Sequence, residues 1–317
     1  MRWRLTAATA LIVQAAVGSA AVPCTIDQEK VFAGDGEHVR LARRQGLAAG
    51  AGFGLFRARL AVNTDGAPTS YHPGDFFGRT VAINKIQHGI TITRSNGDSI
   101  SDDQKKIVFE AWRDSGWAVP PGYSISWQNV IARTPAGRPC LFTAGPYRGY
   151  FGSLTATRNG VPASQAGECG VKDQLDQRYI PAIVLRGPAV NPLTGYGAKK
   201  GDLVLAVNPA TSPPTIVPAI IGDTGNDKRI GEGSVALNMR LLGVTVQPRT
   251  YSQAVNLDTG ANRQMIVAVL PGTRDYRLSR PYSAENIAAR AEAWAQAKGY
   301  GSLAGLAEAM TACAEGL

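Results

Sequence analysis

Residues 218–237 read PAIIGDTGNDKRIGEGSVAL, and the architecture of the chain follows from how this stretch is read. The apolar, β-branched run at its start predicts a strand that delivers Asp223 into a turn rich in Gly, Asn and Asp. The chain then returns through Ile230, Gly231, Glu232 and Gly233 into a second element. An acid at each end of one loop places two carboxyl groups across a short gap. Glycosidic cleavage uses such a pair, with one carboxyl protonating the leaving oxygen and the other acting as base or nucleophile on the opposite side. Gly222, Gly231 and Gly233 flank the two acids, and their lack of side chains is expected to let a sugar ring approach the backbone.

Other segments of the chain resemble the start of this one. Residues 54–62, GLFRARLAV, alternate imperfectly and read as one strand, which ends in the turn chemistry of Asp65-Gly66-Ala67-Pro68. Short runs bounded by Gly, Pro or Asn recur at 123–132, 140–143, 150–157, 180–185, 203–207, 216–221 and 265–270. Many short strands at this spacing predict a mainly β domain of barrel or sandwich type. The chain's 36 Gly and 19 Pro are too dispersed to mark a linker. Helices interrupt the pattern: Ser101 starts one over Ile107, Val108, Ala111 and Trp112 that should end by Gly116. Ser283 caps another bearing Ile287, Ala291 and Trp294, and a last helix spans 302–314.

Basic residues Arg2 and Arg4, an apolar run and then small residues through Ala21 form a secretory signal peptide. The apolar run is shorter than the roughly 20 residues a membrane span needs, and no later stretch is long and uniformly apolar. The expected organisation is therefore a leader over 1–21, a β domain over 22–275 and a C-terminal helical cap over 276–317 packed on that domain. Cys24, Cys140, Cys169 and Cys313 survive processing into an oxidising compartment, where three pairings are possible. The favoured pairing joins Cys140 to Cys169 and Cys24 to Cys313. His38, His72 and His88 lack metal-ligand spacing, so neither a metal nor a cofactor is expected. The formal charge is +9, but Lys and Arg are scattered and form no nucleic-acid motif. This is the profile of a basic exported protein, extracellular or periplasmic, and a monomer is expected.

The stretch IGDTGNDKRIGEGSVAL, residues 221–237, resembles the signature of the chitosanases of glycoside hydrolase family 75. Three further blocks accompany it in order: LAVNTDGAPTSYHPGD at 60–75, YIPAIVLRG at 179–187 and GAKKGDLVLAVN at 197–208. The resemblance implies a six-stranded barrel of double-psi type with peripheral helices. It also implies endo-hydrolysis of β-1,4 linkages in chitosan or a related aminosugar polymer, with inversion and without cofactor. Asp223 and Glu232 would be the catalytic pair, Glu232 being favoured as acid and Asp223 as base. Asp65, Tyr71, His72, Asp75, Asp202 and Asp227 are the candidates for substrate binding. Because chitosan is a polycation, Asp65, Asp75, Asp202, Asp223, Asp227 and Glu232 should line one groove despite the positive total charge. The Asp-rich and Trp-containing segments of fungal members are missing, so the chain is closer to the bacterial branch. A peptidoglycan-directed hydrolase and a non-catalytic carbohydrate-binding module of expansin type are the rival readings.

Overall fold

The computed structural model describes residues 23–32, 37–187, 191–225, 230–260 and 264–317. The expected leader and Asp227 lie outside the described residues. In chain order the strands and helices are β1 (Cys24–Val31), β2 (His38–Arg44), β3 (Phe53–Ala58), β4 (Ala61–Asn63), α1 (Ile86–Gly89), β5 (Thr91–Arg94), α2 (Asp102–Asp114), β6 (Tyr123–Ser126), β7 (Ala182–Arg186), α3 (Pro192–Gly195), β8 (Leu203–Asn208), β9 (Thr215–Gly225), β10 (Glu232–Ser234), α4 (Val235–Leu242), α5 (Tyr251–Val255), β11 (Met265–Leu270), α6 (Ala284–Ala297) and α7 (Leu303–Cys313).

The main sheet has nine strands in the order β1-β2-β3-β11-β8-β9-β7-β10-β4. It is mixed: β4 runs parallel to β10, β7 runs parallel to β9, and the other pairs are antiparallel. Among the described residues no pairing joins β1 to β4, so the ladder is open. The closed six-stranded barrel expected above would need such a joining pair. The single strand expected over 54–62 is also two. Arg59 and Leu60 carry the chain from β3, which pairs with β11, to β4, which pairs with β10. Leu60 marks the crossing: its N–H donates to Thr259 Oγ1 at 2.9 Å and its carbonyl accepts from Thr259 N–H at 3.1 Å.

Burial on both sheet faces explains the near-continuous apolar runs of the central strands. In β8, Leu203, Leu205 and Val207 face one core while Val204 and Ala206 face the other. In β11, Ile266, Ala268 and Leu270 alternate in the same way with Met265, Val267 and Val269. Helices α6 and α7 cover the first face through Ile287, Ala291, Trp294, Leu306 and Met310. The C-terminal pair therefore shares its core with the sheet. Ser283 Oγ accepts from Asn286 N–H and Ser302 Oγ from Gly305 N–H, so each helix starts at the hydroxyl read from the sequence. The disulfide Cys24–Cys313 ties α7 to edge strand β1, and the second joins Cys140 to Cys169.

Between β4 and β7 the chain builds a lobe with its own aromatic core, formed by Tyr71, Phe76, Phe109, Trp112, Trp127 and Phe151. Its helix α2 begins at Ser101, whose hydroxyl accepts from Gln104 N–H, and ends at Ser115 before Gly116. Where strands were expected at 140–143 and 150–157, only isolated bridges such as Leu141 with Phe151 form. No helix among the described residues is long and apolar enough to cross a membrane.

Candidate active site

The end of β4, the end of β9 and the start of β10 meet at one edge of the sheet, and the lobe and α5 close over them. The result is a cleft of about 490 Å³. Asp223 and Glu232 both line it, and Asp65 enters from the turn after β4. The strand pairings bring the acids together: β4 lies beside β10 with Ala61 opposite Glu232, and β9 lies beside β7 with Val184 opposite Asp223.

Two glycines fix where these acids sit. Gly231 has φ +105°, and a Cβ there would strike the Arg59 carbonyl oxygen, so only glycine lets β10 close against the crossing chain and present Glu232. Gly66, after Asp65, has φ +84°, and a Cβ there would meet Leu175 and Thr155. The glycines beside the pair were expected to admit a sugar ring. They serve internal packing instead, since a side chain at Gly222 would press on Ala182 and one at Gly233 on Asn238.

Asp223 is 8% exposed. Burial is the main force raising its pKa, the Glu232 charge adds to it, and N–H bonds from Thr224 (2.8 Å) and Ala156 (3.0 Å) oppose it; the outcome is about 6. Asp65 is pushed further, to about 8, first by burial and then by the charge of Asp223, with Glu232 contributing. The hydroxyl of Tyr71 donates to Asp65 Oδ1 at 2.6 Å and opposes the rise. Tyr71 is fully buried and receives Asn84 Nδ2–H at 3.0 Å, and Asn84 Oδ1 meets His88 Nδ1 at 2.7 Å. Desolvation, then the Lys85 charge, keeps the His88 pKa below its usual value. Asp258 completes the acidic lining and is held by Val62 N–H and the Arg59 guanidinium at 2.7 and 2.9 Å. None of the described lining residues is Lys or Arg.

The other substrate-binding candidates lie elsewhere. His72 is not among the cleft's lining residues and packs edge-on to Tyr150 at 4.8 Å, although its neighbour Tyr71 reaches Asp65. Asp75 is buried and accepts the backbone N–H groups of Arg79, Thr80, Val81 and Ala82. Burial alone would raise its pKa, but these donors hold it at about 2. Asp202 is fully buried at the start of β8 and bonds Lys199 and Arg274 N–H. Both acids organise loops, so among the described residues, which do not include Asp227, the expected six-acid groove reduces to Asp65, Asp223 and Glu232, joined by Asp258. Trp112, Trp127 and Trp294 are core residues. Asn63, Asn84, His88, Tyr251 and Asp258 were not anticipated, because each sits in an unremarkable local sequence and reaches the cleft only through tertiary packing.

Among the described residues no His, Cys, Asp and Glu group is arranged to hold a metal ion. No family model matches the chain, and no curated protein matches it. Chemically, the cleft offers buried carboxyl groups poised to exchange protons around neutral pH, in a setting that favours a cationic or neutral polyhydroxy ligand.

Proposed function

We propose that the chain is a secreted glycoside hydrolase that cleaves β-1,4 linkages in chitosan or a related aminosugar polymer with inversion. The observation that carries the reading is the cleft lining: Asp65, Asp223, Glu232 and Asp258, with no Lys or Arg among the described lining residues, in a protein of net charge +9. A surface of that overall sign repels polycations, so a local acidic path is what a cationic polymer requires. The resemblance of residues 221–237 to family 75 chitosanases points the same way. So do the two disulfides, which suit an oxidising compartment.

In this reading Asp223 is the base. With its pKa near 6 it is ionised at neutral pH yet basic enough to take a proton from the attacking water. Glu232, across the loop, takes the acid role that the family resemblance implies, and this role requires it to hold a proton while Asp223 is ionised and to pass it to the leaving glycosidic oxygen. Asp65 remains protonated through neutral pH, which spares the cleft a third full negative charge and leaves a neutral hydrogen-bond donor facing the sugar. Tyr71 holds that carboxyl in place from behind. The acidic lining weighs against peptidoglycan with its anionic stems.

Purified mature protein incubated with chitosan, and separately with peptidoglycan, should release new reducing ends from chitosan. Release from peptidoglycan alone would reverse the substrate choice. Binding of chitosan with no cleavage across pH 4 to 9 would leave the expansin-like binding module standing.

A further inference from the structure

Two depressions adjoin at Tyr251. Tyr251 and Val255 line the catalytic cleft and also a neighbouring depression of about 390 Å³, whose walls include Phe77, Arg79, Lys85 and Asn256. Tyr251 N–H donates to the Gly78 carbonyl at 2.8 Å, which joins α5 to the loop carrying Phe77 and Arg79. Charge reverses across the tyrosine. On the catalytic side stand Asp65, Asp223, Glu232 and Asp258. On the far side stand Arg79 and Lys85, with no acid among the described lining residues.

Both cations are held against aromatic walls. Lys85 Nζ lies 4.5 Å from the Tyr251 ring centroid, and the Arg79 guanidinium lies 4.9 Å from that of Phe77. Asp75, the acid nearest to Arg79 in sequence, does not neutralise it, because its oxygens are taken by backbone N–H groups. A glucosammonium unit in this depression would meet two positive charges of its own sign. An anionic sugar would sit beside the neighbouring acid-lined cleft, where Asp223 and Asp258 carry negative charge. An N-acetylglucosamine unit escapes both conflicts: it is uncharged, its acetyl methyl suits Phe77 and Val255, and its amide suits the exposed Asn256.

We propose that the depression beyond Tyr251 is a subsite for an N-acetylated aminosugar unit, so that the enzyme selects chains acetylated there and deacetylated across the carboxyl groups. This selectivity rests on the hydrolase reading above.

The test uses the Glu232→Gln protein, which binds without turnover, titrated calorimetrically with glucosamine hexamers and with partly N-acetylated hexamers. The acetylated hexamers should bind tighter by at least about fivefold at low salt, and less so at high salt, as like-charge repulsion is screened. Arg79→Gln and Lys85→Gln together should erase the difference by strengthening binding of the glucosamine hexamer. Equal affinities, or a preference that survives the double substitution in a protein of unchanged melting temperature, would overturn the subsite. Activity separates the two readings: a wild type that cleaves chitosan but binds both hexamers equally refutes the subsite alone, whereas one that cleaves no glycan refutes the hydrolase.

Discussion

The phenol of Tyr71, shut off from solvent, donates to Oδ1 of Asp65 at 2.6 Å and favours the ionised form of that carboxyl. Burial and the charges of Asp223 and Glu232 work in the opposite direction and prevail, leaving Asp65 protonated up to about pH 8. The proton inventory of the cleft therefore depends on a side chain shut off from solvent.

Activity should rise with pH through about 6, as Asp223 ionises, and fall above about 8, as Asp65 loses its proton. Asp65→Asn keeps a neutral hydrogen-bonding group at every pH, so its profile should lose the alkaline fall while retaining the acid limb. With a folded-state pKa raised this far above the unfolded value near 4, the contribution of Asp65 to stability is complete below about 4, is lost progressively as pH rises and is gone once pH passes about 8. The Asn variant should accordingly melt higher than wild type at pH 8 and above. Initial rates and melting curves from pH 4 to 10 check both statements.

Tyr71→Phe removes the bond that lowers the Asp65 pKa, so the alkaline limb should move to higher pH. Loss of the buried hydrogen bond should cost about 1 kcal/mol of stability. An unmoved limb with the stability loss present would reduce Tyr71 to a packing residue.

Asp223→Asn and Glu232→Gln should each lower turnover by roughly 10²- to 10⁴-fold, the usual worth of a positioned acid or base. Circular dichroism and polymer binding should be nearly unchanged, since both changes keep size and polarity. Near-normal turnover in either variant would remove that residue from the mechanism.

Asp75→Ala should destabilise by about 2 kcal/mol or more, because four backbone N–H groups lose a charged acceptor. The depressed pKa sets the sign: the contribution is complete above the unfolded value near 4 and fades as pH falls through about 2. Urea melts at pH 7 and pH 2.5 should show the variant's deficit shrinking at the lower pH, while the shape of its catalytic pH profile at neutral pH is unaltered.

Thiol titration of the denatured, unreduced protein should find almost none, given the bonds Cys24–Cys313 and Cys140–Cys169. Replacing Cys24 and Cys313 by Ser should lower stability by about 2–5 kcal/mol, with loosening confined first to β1 and α7. Hydrogen exchange would locate that loosening.

Much of this molecule was legible from local sequence. Hydroxyl caps at Ser101, Ser283 and Ser302 start their helices because capping is a contact between residues three apart. The apolar runs of β8, β9 and β11 announce strands because a strand buried on both faces must be apolar at nearly every position. Asp223 and Glu232 could be paired because a single loop joins them. Asp65 was a substrate-binding candidate, although its local sequence shows only a turn acid beside glycine. Its turn after β4 meets the other two carboxyls because β4 pairs with β10, a contact between residues about 170 positions apart that no local pattern encodes. The same distance in sequence hid the division of residues 54–62 between two partners and the arrival of Asn84, His88, Tyr251 and Asp258 at the cleft. It also hid the reverse cases, Asp75 and Asp202, where an acid that looks available from its neighbours is consumed by backbone N–H groups. Sequence alone determined the capped helices, the apolar central strands and the loop that carries the acid pair, since these depend on propensity and short-range bonds. Tertiary structure alone decided which carboxyls share a cleft and which keep their protons, because burial and charge proximity are properties of the assembled chain.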